Sequence, residues 1–324
     1  MSETPRRPAS EMPRRPASVM PRRPASSGIS RVTVVADDGV PLAATIEGPR
    51  DAALTVVLVH GHCQDADSWN DVRRHLAPEV RIVRYDQRGH GRSGSGEVSS
   101  LTLDGLAGDL DAVLRTLVPT GPIVLAGYSM GGMVAMAYAR LYPAAIGARI
   151  VGVALIATAA SGLAEHGVGR YLRHPAASML HGAVARAPRA MEVSKRAGGR
   201  LCSLLSRGRE GDSWLRTAGL VLSSTTSVVA WSRLLAAFAV LDESAALVAL
   251  ARVPVVVAAG TADRYVPIAH SEAIVDLLPH AEFVRIVGAG HRILAECPDQ
   301  VASALGRLLG VLSPVDGPLQ RSAV

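Results

Sequence analysis

The chain has 324 residues, 48% of them hydrophobic, with 34 Lys and Arg against 28 Asp and Glu for a net charge of +6. Length and apolar content suffice to bury a sizeable core, and the charge marks no nucleic-acid surface, because six arginines and two glutamates in residues 1–28 carry +4 of it and leave +2 for everything else. Cys63, Cys202 and Cys297 are odd in number, far apart and without a CxxC or Cys/His spacing, which argues against a disulfide framework or a zinc site and suits a reducing cytoplasm.

The first 26 residues contain three copies of Pro-Arg-Arg-Pro-Ala-Ser, starting at Pro5, Pro13 and Pro21. Copies this short and rich in proline form no helix and bury no core, so residues 1–28 are expected to be a disordered arm. Each copy holds an Arg-x-x-Ser that would suit a basic-directed kinase, although a solvated tail is the plainer reading. A charged start followed by an apolar run and a small-residue cleavage site is missing, so a secretory signal is not expected.

Strands are predicted at 31–36 and 42–47, flanking the turn Asp37-Asp38-Gly39 as an antiparallel hairpin. Four near-continuous apolar runs follow at 55–59, 81–85, 122–126 and 150–157, alternating with helical segments at 68–77, 103–118 and 130–142. Two more strands at 253–259 and 282–287 precede a last helix at 299–312. Apolar strands alternating with helices predict an α/β fold, a mostly parallel central sheet covered by helices on both faces. The longest charge-free stretch, 116–139, would span a bilayer by length, but Pro119, Pro122 and four glycines make it strand, turn and helix instead, so no stable membrane insertion is expected.

From Ser161 to about Ala251 the strand rhythm stops. The segment is rich in Ala, Leu, Arg and Ser, has helical periodicity at 227–241 and carries glycine breaks at Gly198, Gly199, Gly208 and Gly211. It is too long for a plain crossover, and an inserted helical cap over one end of the sheet accounts for it. The chain thus divides into a tail at 1–28, core at 29–160 and 252–313, a cap at 161–251 and a second tail at 314–324.

Chemistry concentrates at strand ends. Gly127-Tyr128-Ser129-Met130-Gly131-Gly132 follows an apolar strand and opens a helix of small residues. That is the setting in which G-x-S-x-G means a strained turn with an exposed serine hydroxyl, beside unpaired N–H groups at a helix start. A serine needs a base, usually a histidine held by a carboxylate. Among ten histidines, His60 and His62 end an early strand, His90 lies in a Gly-rich loop, and His166, His174 and His181 fall in the cap. His75, His270 and His280 read as surface positions. His291, in Gly288-Ala289-Gly290-His291 just past the last strand, is the candidate base, and Asp263, in the loop after the strand before, is the candidate carboxylate. Oxyanion donors are assigned to the backbone N–H groups of His62 and Met130. There is no GxxxxGK[ST], no GxGxxG after a strand and no HExxH, so neither cofactor nor metal is called for.

Together these residues resemble the α/β-hydrolase superfamily over about 31–312. The matching pieces are His60-Gly61, Asp86-Gln87-Arg88-Gly89-His90-Gly91-Arg92-Ser93, the serine turn, Gly260 to Asp263 and Gly290-His291. The resemblance implies that Asp86 to Ser93 is a structural loop and that the cap lies between the sixth and seventh strands of the core. Serine at 129, where dehalogenase and epoxide-hydrolase relatives use aspartate, argues against both of those activities. The resemblance further implies a serine hydrolase acting on carboxylic esters or thioesters, and the apolar residues of the cap suggest small to medium apolar substrates. The alternatives are a cofactor-free perhydrolase (non-haem haloperoxidase) or acyltransferase with the same residues, and a ligand-binding protein on the same scaffold. Met179, Leu180, Leu220, Leu222, Leu234, Leu235 and Phe238 are expected to include residues lining an apolar chamber. Arg170, Arg173, Arg186 and Arg189 would serve an anionic substrate instead. Oligomeric state is left open.

Overall fold

The computed structural model describes residues 28–77, 79–205, 219 and 221–312. The N-terminal repeats, Gly208, Gly211, Leu220 and the tail at 314–324 lie outside the described residues. Eight strands form one sheet: β1 (Ser30–Val35), β2 (Pro41–Glu47), β3 (Thr55–Val59), β4 (Arg81–Tyr85), β5 (Ile123–Tyr128), β6 (Ile150–Ile156), β7 (Val255–Gly260) and β8 (Glu282–Ile286). Their order is β1-β2-β4-β3-β5-β6-β7-β8. The hairpin β1/β2 and the pair β2/β4 are antiparallel, and every other pairing is parallel.

Strands β3, β5 and β7 are buried along their whole length, as a parallel sheet covered on both faces requires. Alternate side chains go to opposite faces. Val57, Val59, Leu125, Val153 and Val257 join α1 (Leu103–Leu117) and α2 (Met130–Leu141) in one core. Val56, Leu58, Val124, Ala126 and Val256 form the other, with Trp69, Val72, Val301, Leu305 and Leu308.

Element ends differ from the sequence expectation for local reasons. β7 starts at Val255 because Pro254 has no N–H to give the ladder. The helix expected at 68–77 shrinks to a 3₁₀ turn, Ala66–Trp69, and one helical turn, Asn70–Arg73. The next N–H groups, of His75 and Leu76, bond only three residues back, which tightens the chain and ends the helix.

Between β6 and β7 the described chain is helical: α3 (Pro175–Arg186), α4 (Pro188–Leu205), α5 (Val228–Phe238) and a short turn, Ala246–Leu250. These helices meet the loops that leave the carboxyl ends of the strands. Ser227 donates its N–H to Gly89 O at 2.9 Å, and a Cβ on Gly89 would fall 2.4 Å from that of Ala230. Gly198 and Gly199 do not break the chain, as the sequence suggested; both lie inside α4, and a Cβ on Gly199 would come within 2.5 Å of Ser223 Oγ. The glycine admits a close neighbour and does not end the helix. Met179 is 75% exposed and lines no chamber, because α3 buries Val184 and turns Met179 outward. His270, read as a surface position, is 6% exposed: α6 (Ile268–Leu277) tucks its ring 5.7 Å from that of His166. Among the described residues no helix is long and apolar enough to cross a membrane, and all three cysteines are free.

Candidate active site

Because β3, β5, β6, β7 and β8 run parallel, the loops after them leave the same edge of the sheet. Ser129 follows β5 directly and enters α2 with φ 53° and ψ −119°, a left-handed conformation that costs a non-glycine residue of order 1–3 kcal/mol. The surroundings impose it. Ser129 N donates to Ile156 O at 2.8 Å, while Ser129 O accepts from Thr158 Oγ1 at 2.8 Å and from Gly132 N at 2.9 Å. Glycine is required on both sides: a Cβ on Gly127 would lie 2.3 Å from Gly131 O, and one on Gly131 would lie 2.1 Å from Val59 O.

The loops after β7 and β8 are joined to each other. Ala262 N donates to Ala289 O at 2.9 Å, and Gly288 N donates to Thr261 Oγ1 at 2.9 Å. A Cβ on Gly260 would sit 2.3 Å from Ala289 O, so the glycine lets the two loops touch. Their contact brings Asp263 to His291, and His291 to Ser129. Asp263 Oδ2 is 2.7 Å from His291 Nδ1, and His291 Nε2 is 3.0 Å from Ser129 Oγ. The other carboxylate oxygen, Oδ1, accepts from the N–H groups of Tyr265 at 2.8 Å and Val266 at 2.9 Å. Since the carboxylate only accepts, Nδ1 carries the imidazole proton and Nε2 is left to accept from the serine hydroxyl. The Asp263 side chain is 1% exposed and that of His291 19%, so the line runs from buried acid to accessible base.

Met130 is the first residue of α2, and its N–H has no acceptor one turn back. His62 follows β3 in the loop His60-Gly61-His62. Its backbone N–H makes no hydrogen bond to another described residue. The His62 ring meets Phe238 of α5 edge-on at 5.3 Å and His90 at 5.6 Å. Burial, with His60 adding to it, pushes the His62 imidazole down to about 3. The backbone of Trp231 partly offsets that shift, and Nε2 of His90 is buried with no hydrogen-bond partner among the described residues. His60 is fully paired, with Nδ1 bonded to Gly61 O at 2.8 Å and Nε2 accepting from Gln87 N at 2.9 Å. Cys63, next in the loop, offers no rival nucleophile: burial pushes its thiol up to about 12, against the pull of Lys195.

The loop from Asp86 to Ser93 is a scaffold. Asp86 accepts from Ala66 N at 2.8 Å and from Arg92 N and Nε at 2.9 and 3.0 Å, and Arg88 is clamped by Asp109 and Asp38. Burial costs that guanidinium hydration, but its carboxylate partners outweigh the loss and raise its pKa. Sequence reasoning missed Thr158, which fixes the Ser129 carbonyl, and Glu296, whose Oε2 accepts from Gly290 N at 2.5 Å beside His291. Neither sits in a recognisable spacing. Among the described residues no group of three or more His, Cys, Asp or Glu side chains could hold a metal ion.

A family described as alpha/beta hydrolase fold matches residues 55–298. The probable oxidoreductase EphD of Mycobacterium tuberculosis is 40% identical over 108 residues, which are 33% of this chain and 18% of that protein. The chain therefore spans less than a fifth of that curated relative. Among solved structures, a thermophilic esterase from Thermogutta terrifontis is 29% identical with a TM-score of 0.66, covering 87% of this chain and 99% of its own. The esterase RhEst1 from a Rhodococcus species is 27% identical with a TM-score of 0.67, covering 88% of this chain and all of its own.

Proposed function

Since the chain belongs to the alpha/beta hydrolase fold family, we propose that it is a serine hydrolase that cleaves a carboxylic ester or thioester through an acyl-enzyme intermediate. The observation that carries this reading is the line Ser129 Oγ, His291 Nε2, His291 Nδ1, Asp263 Oδ2, at 3.0 and 2.7 Å, on a serine held in a left-handed turn at a helix start. In this mechanism Oγ attacks the substrate carbonyl carbon while its proton passes to Nε2, and Asp263 stabilises the imidazolium through Nδ1–H. The N–H groups of His62 and Met130 donate to the oxyanion that forms. Its collapse breaks the ester bond, and the leaving alcohol or thiol takes the proton from Nε2. A water, deprotonated by Nε2, then attacks the acyl-enzyme and frees the acid.

On this reading the helices between β6 and β7 act as a cap over the carboxyl edge, and Phe238 against His62 contributes an apolar wall. Small to medium apolar acyl groups suit such a wall. The cap arginines Arg170, Arg173, Arg186 and Arg189 are exposed and are assigned no substrate role. The test is a fluorophosphonate probe with a p-nitrophenyl ester assay, on wild type and Ser129→Ala. The wild type is expected to be labelled and active, the variant neither. Labelling of the variant at the wild-type rate would remove Ser129 from the mechanism. Labelling without ester turnover would direct attention to other acyl acceptors, such as peroxide or an alcohol.

A further inference from the structure

His291 sits on a loop between glycines and a short helical turn, yet its imidazole has to meet both Ser129 and Asp263. Side-chain contacts to those two residues do not by themselves fix the backbone that carries the ring. Tyr128, the last residue of β5 and the neighbour of Ser129, supplies a backbone contact: its hydroxyl donates to His291 O at 2.6 Å. No described backbone N–H bonds to that carbonyl. The phenol ring lies 5.5 Å from the imidazole at 35°, and it is 1% exposed. It also carries the loop after β3, because a Cβ on Gly61 would stand 2.9 Å from the ring. Burial, with Asp263 adding to it, raises the phenol pKa, so the group stays an O–H donor.

We propose that Tyr128 is a positioning residue that ties the backbone of His291 to the strand bearing Ser129 and seats the glycine of the loop bearing His62 against the same ring. One side chain thereby sets base, nucleophile and oxyanion donor in a common frame. The inference rests on the serine-hydrolase reading above. A displacement of about 1 Å in a reacting group costs on the order of 100-fold in rate, and a loop held by one fewer hydrogen bond drifts on that scale.

The experiment compares wild type, Ser129→Ala, Tyr128→Phe and Val124→Ala. Tyr128→Phe keeps the ring and removes only the hydroxyl, and Val124, fully buried in the same strand, is the control for lost stability without a lost tie. The readouts are kcat and KM on p-nitrophenyl butyrate, the rate of fluorophosphonate labelling per folded protein, and Tm. Tyr128→Phe is expected to lose about 10- to 100-fold in kcat and equally in labelling, with KM within about two-fold, because positioning acts on the transition state. Val124→Ala is expected to lower Tm at least as far while keeping kcat. A Tyr128→Phe enzyme within two-fold of wild type in both rates overturns the proposal. So does a loss carried by KM, or an equal slowing in Val124→Ala. If the wild type is not labelled, or Ser129→Ala is labelled equally, the serine-hydrolase reading itself fails and this inference falls with it.

Discussion

The carboxyl edge of the sheet and the helices between β6 and β7 are held by different forces. At the edge, strands buried along their whole length deliver loops that bond to one another, as Ala262 does to Ala289 and Thr158 to Ser129. Among the inserted helices, α3 buries only Val184 and α4 only Lys195 and Gly199, while Val193, Leu201 and Leu204 are exposed. Polar ties do much of the holding: Lys195 Nζ donates to the carbonyls of Ser224 and Thr226 at 2.7 Å each, and Glu192 accepts from Val228 N at 2.8 Å. A region with few apolar contacts opens at low cost. On the proposed reading chemistry belongs to the edge and selectivity to the inserted helices, and substitutions in the two should differ in kind.

The largest effect should come from Asp263→Asn. An amide in place of the carboxylate leaves the fold intact but favours the wrong imidazole tautomer, so kcat should fall by about 10⁴ with Tm nearly unchanged. Combining it with Ser129→Ala should add little, because the residues act as one unit. Near-wild-type turnover in Asp263→Asn would mean that the edge does not hold the acid. Deeper in the core the expected loss is in stability. Asp109 is completely buried against Arg88, and Asp109→Ala leaves that guanidinium only the partly exposed Asp38 as a carboxylate partner, which costs up to about 3–5 kcal/mol. A fall in Tm of roughly 10 °C is expected, with kcat per folded molecule unchanged. A thermal scan with active-site titration separates the two.

That contrast also explains what the sequence could disclose. Strands β3 and β5 are continuous apolar runs, because burial on both faces leaves no room for alternation, and the G-x-S-x-G between β5 and α2 is readable from that context. Asp263 and His291 were legible from their place after the last two strands. The bounds of α3 and α4 were not, because Gly198 and Gly199 read as breaks although both lie inside α4, and the residues that α4 buries are a lysine and a glycine. His270 was misread for a similar reason: a histidine carries no sign of burial until α6 turns it under residues 161–166. Thr158 and Tyr128 act through hydrogen bonds to backbone carbonyls, which no residue spacing encodes.

At the seam between the two regions lie His60, His62 and His90, and they tie stability to pH. Burial, their first cause, lowers all three pKa values, that of His62 to about 3, so the folded protein keeps them neutral. Unfolded, each takes up a proton near pH 6.5. The unfolded chain thus binds more protons below that point, and stability present above pH 6.5 is lost as the pH falls toward the lowered values. The limit is about 1.36 kcal/mol per pH unit for each imidazole. Tm should be flat between pH 7 and 8 and fall between pH 6.5 and 5, and His90→Phe should reduce that slope. An unchanged slope in the variant would show that carboxylates, and not these rings, govern the acid limb.

The smallest effect, and the most direct probe of the inserted helices, concerns Phe238. It closes over the His62 ring at 5.3 Å and is 6% exposed, so on the proposed reading it bounds the space above the oxyanion donors. Each methylene of an acyl chain that finds room there adds up to about 0.8 kcal/mol, close to four-fold in kcat/KM, until the chain reaches the wall. Phe238→Leu moves that wall back by roughly one or two carbons while keeping an apolar surface. In a p-nitrophenyl series from two to sixteen carbons, wild type should peak at short to medium length, and the variant should peak one or two carbons later, with the acetate little changed. The ratio of octanoate to butyrate efficiency should rise about four- to sixteen-fold. A profile that shifts at every length equally would mean that Phe238 supports the loop of His62 and does not bound the acyl chain, and an optimum at sixteen carbons in the wild type would mean that the helices leave the edge open.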